Sequence, residues 1–142
     1  MLSKPDPRIP AMLELAELKY RIDDDGDAIV VISGWEEGRS QTVFISSRTY
    51  TYDDQEFREV FSPAYTGELP TAKVLAYCLK QNNGVKIGSW KLQIDSDTET
   101  VALVFGASVD ANASPQRLRQ VLLNIAKTTD DLERKLSDQD DF

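Results

Sequence analysis

The chain has 142 residues, of which 41% are hydrophobic and 28% are charged, a composition typical of one globular domain. Its formal net charge is −8, and a field of this sign repels nucleic-acid phosphates and anionic membrane surfaces. No apolar run approaches the roughly 18 residues of a membrane span, and the first residues lack the apolar core of a signal peptide. We therefore expect a cytoplasmic protein with neither nucleic acid nor a membrane as partner.

The residue inventory argues against most enzyme chemistry. The chain has no histidine and one cysteine, Cys78, so Ser–His and Cys–His nucleophile pairs, histidine metal sites, multi-thiolate zinc sites and intrachain disulfides are all excluded. The seven glycines are scattered and form no phosphate-binding loop. The sequence thus predicts no catalytic residues, no cofactor and no metal, and a protein that is not an enzyme.

An acidic stretch at residues 23–27 matches the first half of a calcium loop only. Aspartates occupy the first, third and fifth positions counted from Asp23. Ala28 then stands where such a loop needs glycine, and Gly34 stands where it needs a bidentate glutamate. We interpret the stretch as an acidic turn that leads into a strand.

The first helix is predicted from Arg8 to Lys19, after a tail at residues 1–7. On a helical wheel it carries two apolar stripes, whereas a helix that covers a sheet needs one. The second stripe fits either burial within this chain or contact with another protein or a second copy. Together with an off-stripe leucine of the last helix, it gives a candidate protein interface that consists of Ala11, Leu15, Leu18, Ile22 and Leu123.

Three strands are predicted after the first helix. The first is a β-branched run, typical of a strand buried on both faces or nearly so. The third is a short strand in which Phe57 and Phe61 are expected to point inward. Pro63 is expected to mark an edge position or the strand's exit, because proline cannot donate to a ladder. The strands span residues 28–33, 40–46 and 56–61, and a loop follows at residues 64–70.

Aromatic residues near the predicted loops leave two interpretations open. Trp35, Tyr50 and Tyr52 fit a recognition surface and the rim of a small core equally well. A competing hypothesis for the function is a small-molecule binder or carboxylate-based enzyme, with a cleft between the Tyr65 loop and the sheet. It requires a deep pocket with a buried Asp or Glu that has no cation partner.

The second half of the chain is predicted to form a helix, a β-hairpin and a long helix. The middle helix, at residues 71–82, is expected to cover the sheet with Val74, Leu75, Cys78 and Leu79. In the hairpin, Trp90, Leu92 and Ile94 alternate with polar residues before a turn at residues 95–98.

The last helix has the clearest start signal, with Ser114 as N-cap and Pro115 at the first helical position. Its apolar residues recur at the helical period and are expected to face the core. This stripe consists of Leu118, Val121, Leu122, Ile125, Thr129, Leu132 and Leu136.

Three short segments of the sequence resemble those of a known family: KYRIDDDG at residues 19–26, GRSQTVFI at residues 38–45, and AYCLKQN at residues 76–82. With the closing hairpin and last helix, they resemble the YbjN-like bacterial family, whose fold is similar to that of type III secretion chaperones. The resemblance covers the chain from about Leu13 to Leu136. It implies a domain without agreed catalytic residues, of a kind that commonly dimerises and binds extended segments of partner proteins.

These observations together predict an α+β fold, an antiparallel sheet of about five strands flanked by three helices in the order α-β-β-β-α-β-β-α. One YbjN-like domain is expected at residues 8–136, with an acidic, disordered tail at residues 137–142. We expect a non-enzymatic, chaperone-like or adaptor protein that binds another protein or itself, with a homodimer as its expected form.

Overall fold

The computed structural model describes residues 4–137 as an α+β fold of three helices and a six-stranded antiparallel sheet. The predicted fold class is confirmed, with six strands instead of about five. The strand order across the sheet is β1-β2-β3-β4-β6-β5. In chain order the elements are α1 (Arg8–Leu15), β1 (Tyr20–Ile22), β2 (Ala28–Ser33), β3 (Ser40–Tyr52), β4 (Gln55–Gly67), α2 (Ala72–Gly84), β5 (Ser89–Asp95), β6 (Thr100–Asp110) and α3 (Pro115–Ser137).

The additional strand, β1, follows a helix that ends earlier than predicted. The chain leaves α1 at Glu17, whose φ of 59° is left-handed, and the Leu18 N–H closes the helix by donating to the Leu13 carbonyl. Tyr20 then pairs with Val30 of β2. The prediction of one helix to Lys19 is therefore wrong, and its second stripe is divided among α1 (Ala11, Leu15), the connection (Leu18) and β1 (Ile22).

β3 and β4 form a hairpin longer than the predicted strands, with 13 residues each. Its turn residues Asp53 and Asp54 both have left-handed φ, as in a type I′ turn. The ladder shifts register between Pro63 and Tyr65, and such a bulge lets a proline remain within a central strand. The predicted exit at Pro63 is therefore wrong, and β4 replaces the first part of the predicted loop.

The helices cover one face of the sheet. Val30, Val43 and Val60 are fully buried on this face, and α3 packs across β2, β3, β4 and β6. Phe57 and Phe61 were predicted to point inward, but they lie on the opposite face. In the described part of the chain no helix covers that face, which carries the stacked ring pairs Phe44–Phe61 and Tyr50–Phe57.

The predicted core stripe of α3 is confirmed. The Ser114 hydroxyl accepts the Arg117 N–H at 3.1 Å, as an N-cap should. Every predicted stripe residue from Leu118 to Leu132 is buried, and Leu136 is partly buried against the core.

The prediction for α2 is correct in part. Val74 and Cys78 are buried, and burial raises the pKa of the Cys78 thiol to about 11, which keeps it in the unreactive protonated form. Leu79, however, is 71% exposed, so the expectation that it covers the sheet is wrong.

Ion pairs attach the residues before α1 to the sheet. The buried guanidinium of Arg58 donates to Asp6 Oδ2 at 2.7 Å and to the Ser46 carbonyl at 2.8 Å. Arg8 pairs with both Asp6 (2.8 Å) and Glu56 (2.7 Å). Asp6 lies in the predicted tail at residues 1–7, yet it belongs to the folded structure. At the other end, Ser137 is the last residue of α3, and residues 138–142 of the predicted acidic tail lie outside the described residues.

These ion pairs shift the pKa values of their carboxylates downward. Hydrogen bonds from Arg8, and then from Arg58, hold the pKa of Asp6 well below its usual range. A hydrogen bond from Arg8, supported by one from Thr49, lowers the pKa of Glu56 to about 2.

We expect Leu122→Ala to lower the free energy of unfolding by about 2–5 kcal/mol, because Leu122 is fully buried and its loss leaves a cavity. Leu123→Ala is the matched control, since that neighbouring side chain is 42% exposed and should cost below about 1 kcal/mol. Urea unfolding of both variants measures the difference. A Leu122→Ala loss below about 1 kcal/mol would show that another face of α3 forms the core.

We expect Asp6→Asn to destabilise the protein most near neutral pH and least in acid. A pKa that is lowered in the folded state stabilises that state above the carboxyl's ordinary value of 3.8, and this contribution decreases progressively as the pH falls from 3.8 toward the lowered pKa. Urea unfolding of wild type and variant at about pH 7, 4 and 3 should therefore give a shrinking difference. A difference that stays constant across this range would contradict the ionised role of Asp6.

Candidate protein-binding surface

An open groove of about 410 Å³ lies beside the end of β2. β1 begins at Tyr20, opposite Val30, so β2 extends three residues beyond its last pair with β1. The edge of β2 forms the floor of the groove, between the end of the α1 connection and α3. The lining residues are Leu18, Val31, Ile32, Ser33, Gly34, Arg119 and Leu123.

The backbone of β2 directs hydrogen-bonding groups toward this groove. The Thr42 carbonyl of β3 accepts the Ser62 hydroxyl of β4 at 2.6 Å, so the backbone groups of Thr42 face β4. In an antiparallel ladder the facing side alternates from residue to residue. Residue 43 therefore faces β2, where it pairs with Val30, and the N–H and C=O of Val31 and Ser33 face the groove side.

Arg119 connects this groove to a second one. Its guanidinium donates to the Ala16 carbonyl at 3.1 Å and thereby joins α3 to the end of α1. A shallow groove of about 250 Å³ on the other side of Arg119 is lined by Leu15 and Pro115, among others. The two grooves share Arg119 and are together called here the α1–α3 groove; Leu15 in the second groove is 71% exposed.

The structure brings three of the five predicted interface residues to the α1–α3 groove. Leu15, Leu18 and Leu123 line it, and Leu18 also packs against the core. Ala11 is exposed on α1 and Ile22 is half-buried in β1, and neither lines the groove. Sequence reasoning missed Val31 and Ser33, because their accessibility depends on where β1 begins.

The hypothesis of a small-molecule binder or carboxylate-based enzyme requires a buried carboxylate without a cation partner. The buried carboxylate among the described residues has such a partner. Asp130 is 1% exposed, but it pairs with Arg39 and accepts the Trp35 Nε1–H at 3.2 Å. Burial acts to raise the pKa of Asp130, and hydrogen bonds from Arg39 and Trp35 outweigh it and lower the pKa. Tyr65 lies in β4, where its hydroxyl donates to the Glu68 carbonyl at 2.8 Å.

The three aromatic residues left open by the sequence have different environments. Trp35 is half-buried and belongs to the Asp130 ion-pair site. Tyr50 is exposed on the uncovered sheet face, where its hydroxyl donates to a Glu59 oxygen at 2.8 Å. Tyr52 is exposed at the end of the β3–β4 hairpin.

The acidic stretch at residues 23–27 forms a turn between β1 and β2. The carboxylates of Asp23, Asp25 and Asp27 each place an oxygen within 4.8 Å of the other two. One oxygen of Asp23 accepts the N–H groups of Asp25 and Asp27 at 2.9 Å each, and Asp27 accepts the Ser47 N–H at 2.8 Å. These bonds close the turn and attach it to β3.

Comparison with known protein families and with curated proteins finds no match for this chain. In the described range, none of the three helices combines the length and the apolar character needed to cross a membrane.

Proposed function

We propose that this protein is a non-enzymatic protein-binding domain of chaperone-like or adaptor type, which takes an extended segment of another protein into the α1–α3 groove. The observation that carries the proposal is the position of the β2 edge. Val31 and Ser33 direct backbone groups to the side of β2 that β1 does not reach. An extended segment bound there would pair with β2 as an additional strand of the sheet.

The lining of the groove defines the chemistry of the segment. Apolar side chains of the partner would pack against Leu18 and Leu123, while its backbone pairs with β2. Arg119 lines both parts of the surface, and its guanidinium has five donors, one of which is used by Ala16. This arrangement favours an extended apolar segment that also carries an acidic residue.

Three further expectations belong to the same proposal: membership of the YbjN-like bacterial family, a cytoplasmic location, and the lack of enzymatic activity. The α+β fold of three helices and an antiparallel sheet supports the family resemblance. The absence of histidine supports a binding role over catalysis.

Peptides that the wild-type protein selects from a displayed random library test the proposal. We expect Leu123→Lys to weaken their binding roughly tenfold or more, because a buried leucine contact contributes about 1.5–3 kcal/mol. Ser33→Pro should have a similar effect, since proline lacks the groove-facing N–H while the N–H groups that bond to β3 remain. Fluorescence anisotropy gives the dissociation constants.

Two matched controls accompany these variants. Ser33→Ala keeps the backbone donor, and Leu69→Lys adds the same charge at another exposed leucine, between β4 and α2. Both should bind the selected peptides as the wild type does, and thermal unfolding should show that all four variants fold. Selected peptides that bind Leu123→Lys and Ser33→Pro with unchanged affinity would contradict the proposal, as would a failure to select any peptide.

A further inference from the structure

β5 is an edge strand, and a side chain of α2 shows how its backbone is oriented. Within residues 4–137, β5 pairs with β6 alone. The Asn82 side chain accepts the Trp90 N–H at 2.6 Å and donates to the Trp90 carbonyl at 3.2 Å. Both backbone groups of Trp90 therefore point away from β6.

The alternation of an antiparallel strand extends this orientation along β5. Leu92 and Ile94 direct their N–H and C=O outward, as Trp90 does, whereas Lys91 and Gln93 direct theirs to β6. Asn82 occupies only the Trp90 position. The outer edge of β5 at Leu92 and Ile94 is therefore a template on which a further strand can pair.

Apolar side chains accompany this edge. Ile94 is 71% exposed, although Trp90 on the same side of β5 is buried. Leu79 lies one helical turn before Asn82 on α2 and so shares the side of that helix that reaches the β5 edge. Leu92, on the same face of β5 as Ile94, is partly buried against the core. The exposed apolar side chains near this edge are therefore those of Ile94 and Leu79.

The sequence of β5 is complementary to itself when two copies run antiparallel with Gln93 on the symmetry axis. Leu92 then lies opposite Ile94 of the partner subunit, and both residues have outward-facing backbone groups. The two symmetry-related pairs give about four backbone hydrogen bonds. Lys91 lies opposite Asp95 of the partner subunit. Because of the two-fold symmetry, the dimer contains two such pairs of opposite charge across the strands.

Other registers with correct backbone orientation lose these features. An axis at Leu92 would pair Trp90 with the partner, but Asn82 already occupies that position. An axis at Ile94 would place Leu92 opposite a residue of the hairpin turn and would separate Lys91 from Asp95 of the partner subunit. At the other end of the sheet, β1 has only three residues and offers a much shorter edge.

We infer that two copies of this chain form a homodimer by pairing their β5 strands about a two-fold axis at Gln93, which joins the two sheets into one. Both subunits contribute the same surface to this interface, which is therefore isologous, and the assembly is complete as a dimer. This interface lies at the opposite end of the strand order from the α1–α3 groove, and either surface can fail its test without affecting the other.

Disulfide formation tests the register directly. In the inferred dimer, the two copies of residue 93 form a non-hydrogen-bonded pair with Cα atoms about 4.5 Å apart, within the range of a disulfide. Gln93→Cys should therefore give a covalent dimer under mild oxidation. Ser96→Cys is the matched control, because its two copies would be about 20 Å apart and should give little crosslinking. Cys78 is buried and present in both proteins.

Sedimentation equilibrium tests the backbone pairing. Wild type and Ile94→Val should be dimers, whereas Ile94→Pro should be a monomer. The N–H of residue 94 points outward and is not bonded to β6, and proline has no N–H to donate to the partner subunit. Thermal unfolding shows whether each variant folds. A monomeric wild type, or a Gln93→Cys protein that crosslinks no more than Ser96→Cys, would overturn the inference whether or not Ile94→Pro folds.

A charge test separates the cross-strand pairs from other effects. Lys91→Glu should raise the dissociation constant of the dimer roughly tenfold, since it places like charges opposite each other twice. It also removes the ion pair of Lys91 with Glu59 within the subunit. Lys91→Glu combined with Asp95→Asn shares that loss and preserves the Asp95 turn bond to the Asp97 N–H, yet should recover most of the affinity. No recovery in the double variant would contradict the Gln93 register.

Discussion

The burial of one side of α3 against four strands is the interaction on which this structure depends. Leu122 and Ile125 are fully buried, and the helix crosses β2, β3, β4 and β6, which come from distant parts of the chain. In the C-terminal half of the helix, Asp130 bonds to Trp35 and Arg39 and thereby joins α3 to the β2–β3 connection. Because the core is formed on one face, the edges of the sheet need no cover for the fold to be stable.

The elements that sequence analysis predicted correctly are those with strong local signals. The period of α3 and its Ser114 cap are sufficient to place that helix, since both act within a few residues. The end of α1 has no such signal: the left-handed position is occupied by Glu17, where glycine would be the ordinary choice. Pro63 is the opposite case: it predicts the end of a strand, but a bulge accommodates it within β4.

The candidate sites were predictable only in part, for a related reason. Periodicity identifies apolar side chains, but it does not show which of them the chain itself covers. Leu15 and Leu123 were candidates for a protein interface, whereas Leu79 and Ile94 were assigned to the core and are 71% exposed. Outward-facing backbone N–H and C=O groups, such as those of Ser33, cannot be recognised from the residue types in the sequence. Their availability depends on the length of a neighbouring strand, which is a tertiary property.

The position of α3 in the chain has a consequence for biosynthesis. All six strands precede this helix, so a ribosome synthesises the whole sheet before the residues that cover it. Until residues 115–137 emerge, the nascent chain carries an apolar sheet face with nothing packed across its centre, and such surfaces promote aggregation. During synthesis, the covered face of the sheet therefore stays without its main helix for a period set by the length of α3.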